Sequence, residues 1–190
     1  MDNVYRQIAS VFGVKPGRAL PIDTSQRHGD RKRLARLCER LGFKRGCELG
    51  VRNGCFSELF CQAGLEMWCV DPWAPCPNYS SDRQERSYAE AQKRLAPYGA
   101  HLVKKASADA LGDVPSGLDF LHIDGRHEFD FVMLDIIQWA PKVRPGGIIA
   151  CHDYHLSGVK RAVEAYTLAH HIDPWFVLKN HQPTAFWVSP

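Results

Sequence analysis

Two periodicities alternate along the chain. Short apolar runs, typical of buried strands, are separated by longer stretches in which apolar residues recur every three or four positions, as in amphipathic helices. The predicted strands are 46–50, 66–71, 101–105, 118–124 and 148–151. The predicted helices end near residue 64 or span 82–96, 106–111, 128–140 and 157–169. Strand–helix alternation of this kind predicts an α/β fold with a parallel sheet and helices on both faces.

The C-terminal segment follows a different pattern. Two further apolar runs, Trp175–Leu178 and Ala185–Val188, are separated only by Lys179–Thr184. That connection is too short for the helical crossover that parallel strands require, so an antiparallel hairpin is predicted. The complete sheet is therefore expected to have seven strands, five of them parallel and two in a C-terminal hairpin.

Two amphipathic helices are predicted before the first core strand. The apolar face of the first is Val4, Ile8, Val11 and Phe12. The second begins at a candidate N-cap, Asp30, and ends at Gly42. Its apolar stripe is Leu34, Leu37, Cys38 and Leu41. The intervening Pro16–Gln26 is predicted to be a loop. We expect residues 1–44 to form a substrate or cap region that is part of the same domain, whose core is 45–190.

Composition narrows the class of protein. A chain of 190 residues that is 45% hydrophobic can bury one substantial core. The formal charge of +3 is too small to imply a nucleic-acid partner. Neither a membrane span nor a signal peptide is expected. The seven cysteines form no C-x-x-C pair, and we expect reduced thiols in a cytoplasmic protein.

A glycine-bearing turn follows the first core strand. Gly50 and Gly54 lack a β-carbon, so the backbone there can turn sharply and approach a ligand. Glu48 places a carboxylate at the turn, which suits a cationic ligand better than a pyrophosphate. Asp71 ends the next strand, the usual position of a ribose-binding acid in nucleotide-binding α/β folds. A carboxylate there can accept hydrogen bonds from both ribose hydroxyls.

Polar side chains also cluster where the last two parallel strands end. They are Asp124, His127, His152, Asp153 and His155. Open α/β sheets bind their ligands outside the carboxyl ends of their strands. These five residues are therefore the candidates for chemistry.

Four segments carry a family resemblance. They are Glu48-Leu49-Gly50-x-x-x-Gly54, Asp71, Leu118–His127 with its Ile123-Asp124-Gly125-x-His127 ending, and Pro145–Asp153 with its Pro-Gly-Gly and His-Asp pairs. In them the chain resembles a class I S-adenosylmethionine-dependent methyltransferase of the small-molecule O-methyltransferase branch, related to the catechol and macrolide-sugar enzymes. The resemblance covers Arg45–Pro190. Val51-Arg52-Asn53 stands where the wider superfamily often has a further glycine, a departure that this branch tolerates.

The resemblance implies a Rossmann-like seven-stranded methyltransferase sheet and methyl transfer to a hydroxyl of a small-molecule acceptor. The cofactor-binding residues it implies are Glu48, Gly50, Gly54, Asp71, Trp73, Ser107 and Asp124. Among these, Glu48 and Gly50 would border the methionine end of S-adenosylmethionine, Asp71 the ribose, Trp73 the adenosine, and Ser107 the adenine amino group. The alternative for Trp73 is a packing residue in a proline-rich loop.

The role of the strand-end residues is left open among three alternatives. In the first, Asp124, His152 and Asp153 bind a divalent metal, and a histidine ligand suits manganese, iron or zinc better than magnesium. His127, where catechol-type enzymes have a lysine, would then be the catalytic base beside Asp124. An unperturbed histidine has a pKa of ~6.5, suited to that task. In the second, His127 acts without metal. In the third, Asp124 and His152 only cap helices or bond loop backbone.

Basic residues concentrate within and just before the second helix. They are Arg27, His28, Arg31, Lys32, Arg33, Arg36 and Arg40. A solvated face is the preferred interpretation, because no aromatic residues interleave with these charges as in a single-strand-binding surface. The alternative is an anion-binding surface for an acidic substrate or RNA. The functions kept beside small-molecule methylation are RNA or protein methylation and cofactor binding without catalysis. A homodimer is left open.

Overall fold

The apolar runs of the sequence form one β-sheet. A computed structural model describes residues 2–13, 21–23, 30–77, 79–179 and 181–190. Its strands are β1 (Pro21–Asp23), β2 (Arg45–Leu49), β3 (Glu66–Val70), β4 (His101–Val103), β5 (Leu118–Ile123), β6 (Val143–Cys151), β7 (Trp175–Lys179) and β8 (Thr184–Val188). All six residues of β5 are buried, as expected for a central parallel strand covered on both faces.

The strand order is β1-β7-β8-β6-β5-β2-β3-β4. Strands β2 to β6 pair in parallel, and β8 runs antiparallel to both β6 and β7. This confirms the predicted mixed sheet with its C-terminal hairpin. One edge strand was not predicted: β1 pairs in parallel with β7, so a loop throughout 16–26 is wrong at Pro21–Asp23. Three residues are too few to show a periodic pattern, and proline is tolerated at the start of an edge strand.

Six α-helices accompany the sheet in the part of the chain that the structure describes. They are α1 (Asp2–Phe12), α2 (Asp30–Leu41), α3 (Cys55–Gln62), α4 (Ser81–Leu95), α5 (Phe129–Trp139) and α6 (Ser157–Ala169). Their ends lie within one or two residues of the predicted ones, the usual uncertainty of helix boundaries. The predicted short helix at 106–111 is instead two 3₁₀ turns, Ser107–Asp109 and Leu111–Asp113. So short a segment cannot offset the cost of nucleating an α-helix.

The helices divide between the two faces of the sheet. One face carries α1 to α4, and the N-terminal helices reach the C-terminal hairpin through aromatic contacts. The rings of Phe12 and Phe186 lie 5.7 Å apart, and those of Tyr5 and Phe176 lie 6.4 Å apart. The other face carries α5 and α6, packed through Trp139 and Val163. Helices thus cover both faces of the sheet, and the loops that carry the candidate residues follow the carboxyl ends of the strands.

Within the described ranges, no helix combines the length and apolar character that crossing a membrane requires. All seven cysteines are free, in agreement with reduced thiols. Cys55 and Cys76 are exposed, and the other five are buried.

Candidate active site

Strand pairing brings the ends of β5 and β6 together. Ile123 is the register partner of Cys151, so the residues that follow, Asp124 and His152, start their loops side by side. The backbone N–H of His152 donates to the carbonyl of Ile123 at 2.9 Å. The sheet therefore places an acid and a histidine, 28 residues apart in sequence, at one point where its parallel strands end.

Five side chains form what we call the strand-end cluster: Asp124, His127, His152, Asp153 and His155. His152 Nδ1 lies 3.2 Å from Asp124 Oδ1 and 3.4 Å from Asp153 Oδ1. His127 Nε2 lies 3.3 Å from Asp153 Oδ2, and His155 Nδ1 lies 3.7 Å from Asp153 Oδ1. Asp153 is thus surrounded by three imidazoles. The structure brings together all five candidates that the sequence placed at the strand ends.

Charge is distributed unevenly in this cluster. His152 is only 3% exposed. Burial by itself would lower the pKa of His152, but Asp124 and Asp153 raise it to about 9. The pKa of Asp153 is lowered, mainly by its hydrogen bond with His152 and further by the charges of His127 and His155, against the opposing effect of burial. Asp124 and Asp153 therefore favour the protonated form of the His152 imidazole.

The backbone of Asp153 is strained. Its φ is +54°, in the left-handed region that residues other than glycine rarely adopt. Neighbouring hydrogen bonds maintain this conformation: Leu156 N–H donates to the Asp153 carbonyl, and Tyr154 N–H donates to the Pro183 carbonyl, each at 2.8 Å. Strain of this kind persists where the surrounding structure enforces it, and it is concentrated at functional sites.

A cation fits three members of the strand-end cluster. Asp124, His152 and Asp153 each offer one ligand atom, and these atoms all lie within 4.8 Å of one another. Two carboxylates and one imidazole suit manganese, iron or zinc better than magnesium, which prefers oxygen ligands. Because imidazole binds metal only when it is neutral, His152 would have to lose its proton on binding.

A second group lies deeper in the sheet. Glu48, His122 and Asp124 also bring three ligand atoms within 4.8 Å of one another, but Glu48 and His122 are almost fully buried. His122 Nδ1 lies 3.3 Å from Glu48 Oε1, and the Ser57 hydroxyl donates to Glu48. The Glu48 carboxylate is therefore buried beneath the turn and does not lie at its surface. Its expected contact with a cationic ligand stays a prediction. Its register partner on β5 is His122, and its carboxylate faces that residue inside the protein.

His122 was missed as part of this constellation. Its ring packs 4.2 Å from that of Phe56 and 5.9 Å from that of His152. The available signal was a histidine within the otherwise apolar run Leu118–Ile123, where a polar residue needs a buried partner.

The two glycines of the turn meet protein atoms. Gly50 adopts φ +88° against the backbone of Asp124, and Gly54 adopts φ +76° at the N-cap of α3, against Leu95. Their conformations justify glycine, as predicted. The close approach that the missing β-carbons permit is, however, to neighbouring loops and helices.

The carboxylate of Asp71 accepts hydrogen bonds from backbone N–H groups. It is 8% exposed, and its Oδ2 accepts from the N–H groups of Val51 and Arg52 at 2.9 and 2.8 Å. Its Oδ1 accepts from the Trp73 N–H at 2.7 Å. A carboxylate has about four acceptor sites, and backbone N–H groups use three of them. The contact of Asp71 with the ribose stays a prediction. The interaction that sequence reasoning missed is the clamp between the loops after β2 and β3.

Trp73 and Ser107 also have protein partners. The Trp73 indole is 3% exposed, donates to the Arg52 carbonyl at 2.7 Å and packs 4.7 Å from the Tyr88 ring. These contacts favour the packing alternative for Trp73. The half-buried Ser107 donates its hydroxyl proton to Asp135 at 2.5 Å. Its contact with adenine stays a prediction.

Comparison with known proteins identifies the family. A family model described as a methyltransferase domain matches residues 46–154, more than half of the chain. The chain belongs to this family. The matched segment includes Glu48, Asp71, Ser107 and Asp124, and it ends just after Asp153.

Among curated proteins, the uncharacterized protein y4gI of Sinorhizobium fredii (strain NBRC 101917 / NGR234) is 32% identical over 120 residues. The match covers 58% of this chain and 13% of y4gI, so the chain spans a small part of that relative.

Solved structures share the fold. An O-methyltransferase from Bacillus cereus, in complex with SAH, has a TM-score of 0.64 at 14% identity, covering 99% of this chain and 91% of its own. An rRNA methylase from Streptococcus thermophilus has a TM-score of 0.62 at 12% identity, covering 88% and 99%.

Proposed function

We propose that this chain transfers the methyl group of S-adenosylmethionine to a hydroxyl oxygen of a small molecule. Membership of the methyltransferase family supports methyl transfer. The strand-end cluster supports oxygen as the acceptor atom. A hydroxyl must lose a proton as it attacks the sulfonium methyl, and the cluster offers an imidazole for that proton at the carboxyl ends of the strands.

His127 is the proposed base. Its side chain is 44% exposed, so an acceptor can reach it, and Asp153 lies 3.3 Å from its Nε2. The carboxylate would orient the imidazole and stabilise the imidazolium that forms when it takes a proton. The cofactor is already activated, so positioning the acceptor and removing its proton are what the protein must supply.

The metal is part of the same proposal. Asp124, His152 and Asp153 would hold a divalent cation. When bound, such a cation supplies Lewis-acid stabilisation of the acceptor's oxyanion. His127 lies outside this triad and contacts it through Asp153, so base and metal can be tested separately.

The alternatives differ in the acceptor. On α2, Lys32, Arg36 and Arg40 are exposed, but Arg40 also donates to Ser10 at 2.8 Å. Arg27 and His28 lie outside the described residues. The sequence of α2 contains no aromatic residue on which a base could stack, which favours a small molecule over RNA.

Calorimetry with S-adenosylmethionine and S-adenosylhomocysteine tests the cofactor, and mass spectrometry of a hydroxyl-compound panel tests the transfer. We expect binding of both and methylation of some panel members. Asp153→Asn should cut turnover at least about tenfold, with cofactor binding retained. The exposed Asp130→Asn on α5 is the matched control and should behave as wild type. Failure to bind either cofactor would reject the proposal. Salt-sensitive methylation of RNA would reject the small-molecule acceptor.

A further inference from the structure

One buried carboxylate has no part in the chemistry above. Asp135 lies in the middle of α5 and is 6% exposed, on the face that also carries Val132, Ile136 and Trp139. Burial raises the pKa of Asp135, against the opposing hydrogen bond from Ser107. A carboxylate costs stability among apolar side chains unless it is hydrogen-bonded. A carboxylate on the buried face of a helix therefore suggests a role that offsets this cost in stability.

Ser107 lies at the same end of the sheet as Asp71. It begins the 3₁₀ turn after β4, and β4 pairs with β3, the strand that leads to Asp71. Asp135 approaches the next loop as well, because a β-carbon on Gly125 would lie 3.8 Å from its Oδ2. Asp135 therefore lies beneath the loops after β4 and β5, at the edge where α/β sheets bind their ligands.

The hydrogen bond between them has a defined direction. A serine hydroxyl has one proton to donate and two lone pairs that accept, whereas an ionised carboxylate only accepts. The Ser107 hydroxyl donates its proton to Asp135 Oδ1, 2.5 Å away. The lone pairs of the Ser107 hydroxyl remain available to a ligand. They can accept a hydrogen bond from the amino group of adenine. The hydroxyl has no proton left to donate to the carbonyl oxygen that a 6-oxo purine carries at that position.

We propose that Asp135 holds the Ser107 hydroxyl as an acceptor toward the cofactor, so that the site selects an adenine base over a 6-oxo purine. Asp135 is thus a positioning residue that acts through Ser107. This inference rests on the proposed S-adenosylmethionine-dependent function and on the expected contact between Ser107 and adenine. It adds a reason why this chain needs a buried acid on α5.

Calorimetry with S-adenosylhomocysteine and S-inosylhomocysteine, its 6-oxo analogue, measures this selectivity. Wild type should prefer the adenine compound at least about tenfold, the scale of one unmatched hydrogen-bonding pair. In Asp135→Asn the amide can donate to Ser107 and release the hydroxyl proton toward the ligand. The preference should then fall to within about threefold of unity. Asp135→Ser should likewise leave the Ser107 hydroxyl free to donate its proton to the ligand. This variant replaces Asp135→Asn in the test if the asparagine variant does not fold.

Three further variants separate positioning from general structure. Ser107→Thr keeps the hydroxyl and should keep the preference, whereas Ser107→Ala should lose it. Asp130→Asn, an exposed acid on the same helix, should leave it unchanged. Equal affinity of wild type for the two compounds, or wild-type selectivity in folded Asp135→Asn, would overturn this inference alone. Failure of wild type to bind either compound would overturn the proposed function and this inference with it.

Discussion

A β-carbon on Gly50 would lie 2.1 Å from the backbone carbonyl oxygen of Asp124. The turn after β2 and the loop after β5 are therefore in direct backbone contact, and the Asp124 N–H also donates to the Leu49 carbonyl at 2.8 Å. One consequence is that the first residue of the strand-end cluster is positioned by the glycine turn. The turn thus contributes to the site through packing, whatever it contributes to the cofactor.

Gly50→Ala should destabilise the protein more than Gly64→Ala. Both glycines have positive φ, +88° and +90°, but a β-carbon at Gly64 would meet nothing within 4 Å. Gly64→Ala should therefore cost only the backbone strain, about 1–2 kcal/mol. Gly50→Ala should cost a further ~2 kcal/mol or more from the collision. Urea unfolding measures both values, and equal losses would contradict the close packing of the two loops.

Asp71→Ala should destabilise the fold, because it removes the acceptor of three backbone N–H groups. Hydrogen bonds to a charged group contribute about 1.5–3 kcal/mol each, and partial replacement by water should reduce the total loss to about 2–4 kcal/mol. The exposed Asp109→Ala is the control and should be close to neutral. Urea unfolding and S-adenosylhomocysteine titration should be measured together. A variant of unchanged stability with weaker cofactor binding would restore the original assignment of Asp71 as chiefly a ribose ligand.

The chelator-treated protein should lose stability as pH rises from 6.5 to 9. The folded-state pKa of His152, about 9, lies above its ordinary value of 6.5. Its protonation therefore stabilises the fold fully below pH 6.5, and this contribution disappears as pH rises through 9. The loss should be on the order of 2–3 kcal/mol. His152→Gln should flatten this part of the profile in urea unfolding at several pH values. An equally steep profile in the variant would show that other groups cause it.

His152→Asp should change which metal the protein prefers. Replacing an imidazole with a carboxylate gives an all-oxygen triad, which suits magnesium better. Wild type should bind manganese well above magnesium in calorimetric titrations, and the variant should narrow that ratio by about tenfold. Asp130→Asn should keep the wild-type ratio. An unchanged ratio in His152→Asp, or no metal binding by wild type, would count against a metal at the strand-end cluster.

His127→Ala should reduce turnover by about 100-fold, within the range for loss of a general base, while S-adenosylhomocysteine binding stays within about twofold. The side chain lies at the exposed rim, so its loss should cost little stability. His101→Ala is the control, because that histidine lies on edge strand β4 and pairs with Glu66. Full activity of His127→Ala with an acceptor that needs deprotonation would exclude His127 as the base.

Much of the site could be predicted because strand direction follows from connection length. Helical crossovers make strands parallel, and the carboxyl ends of parallel strands lie at one end of the sheet, so the sequence predicts that Asp124 and Asp153 are neighbours. The same pattern predicted the hairpin of β7 and β8. It could not predict β1, whose pairing with β7 depends on two segments more than 150 residues apart.

The residues that end the strands, and the chemistry that they carry, follow from the periodicity of the chain. The partner that each side chain contacts depends on tertiary packing. Glu48 turns inward because its register partner is His122, and Asp71 is taken up by the amides of the adjacent turn. Asp135 finds Ser107 across 28 residues. Periodicity reports the face on which a residue lies, whereas hydrogen-bond partners depend on distances between loops, and those are set only when the sheet and its helices pack together.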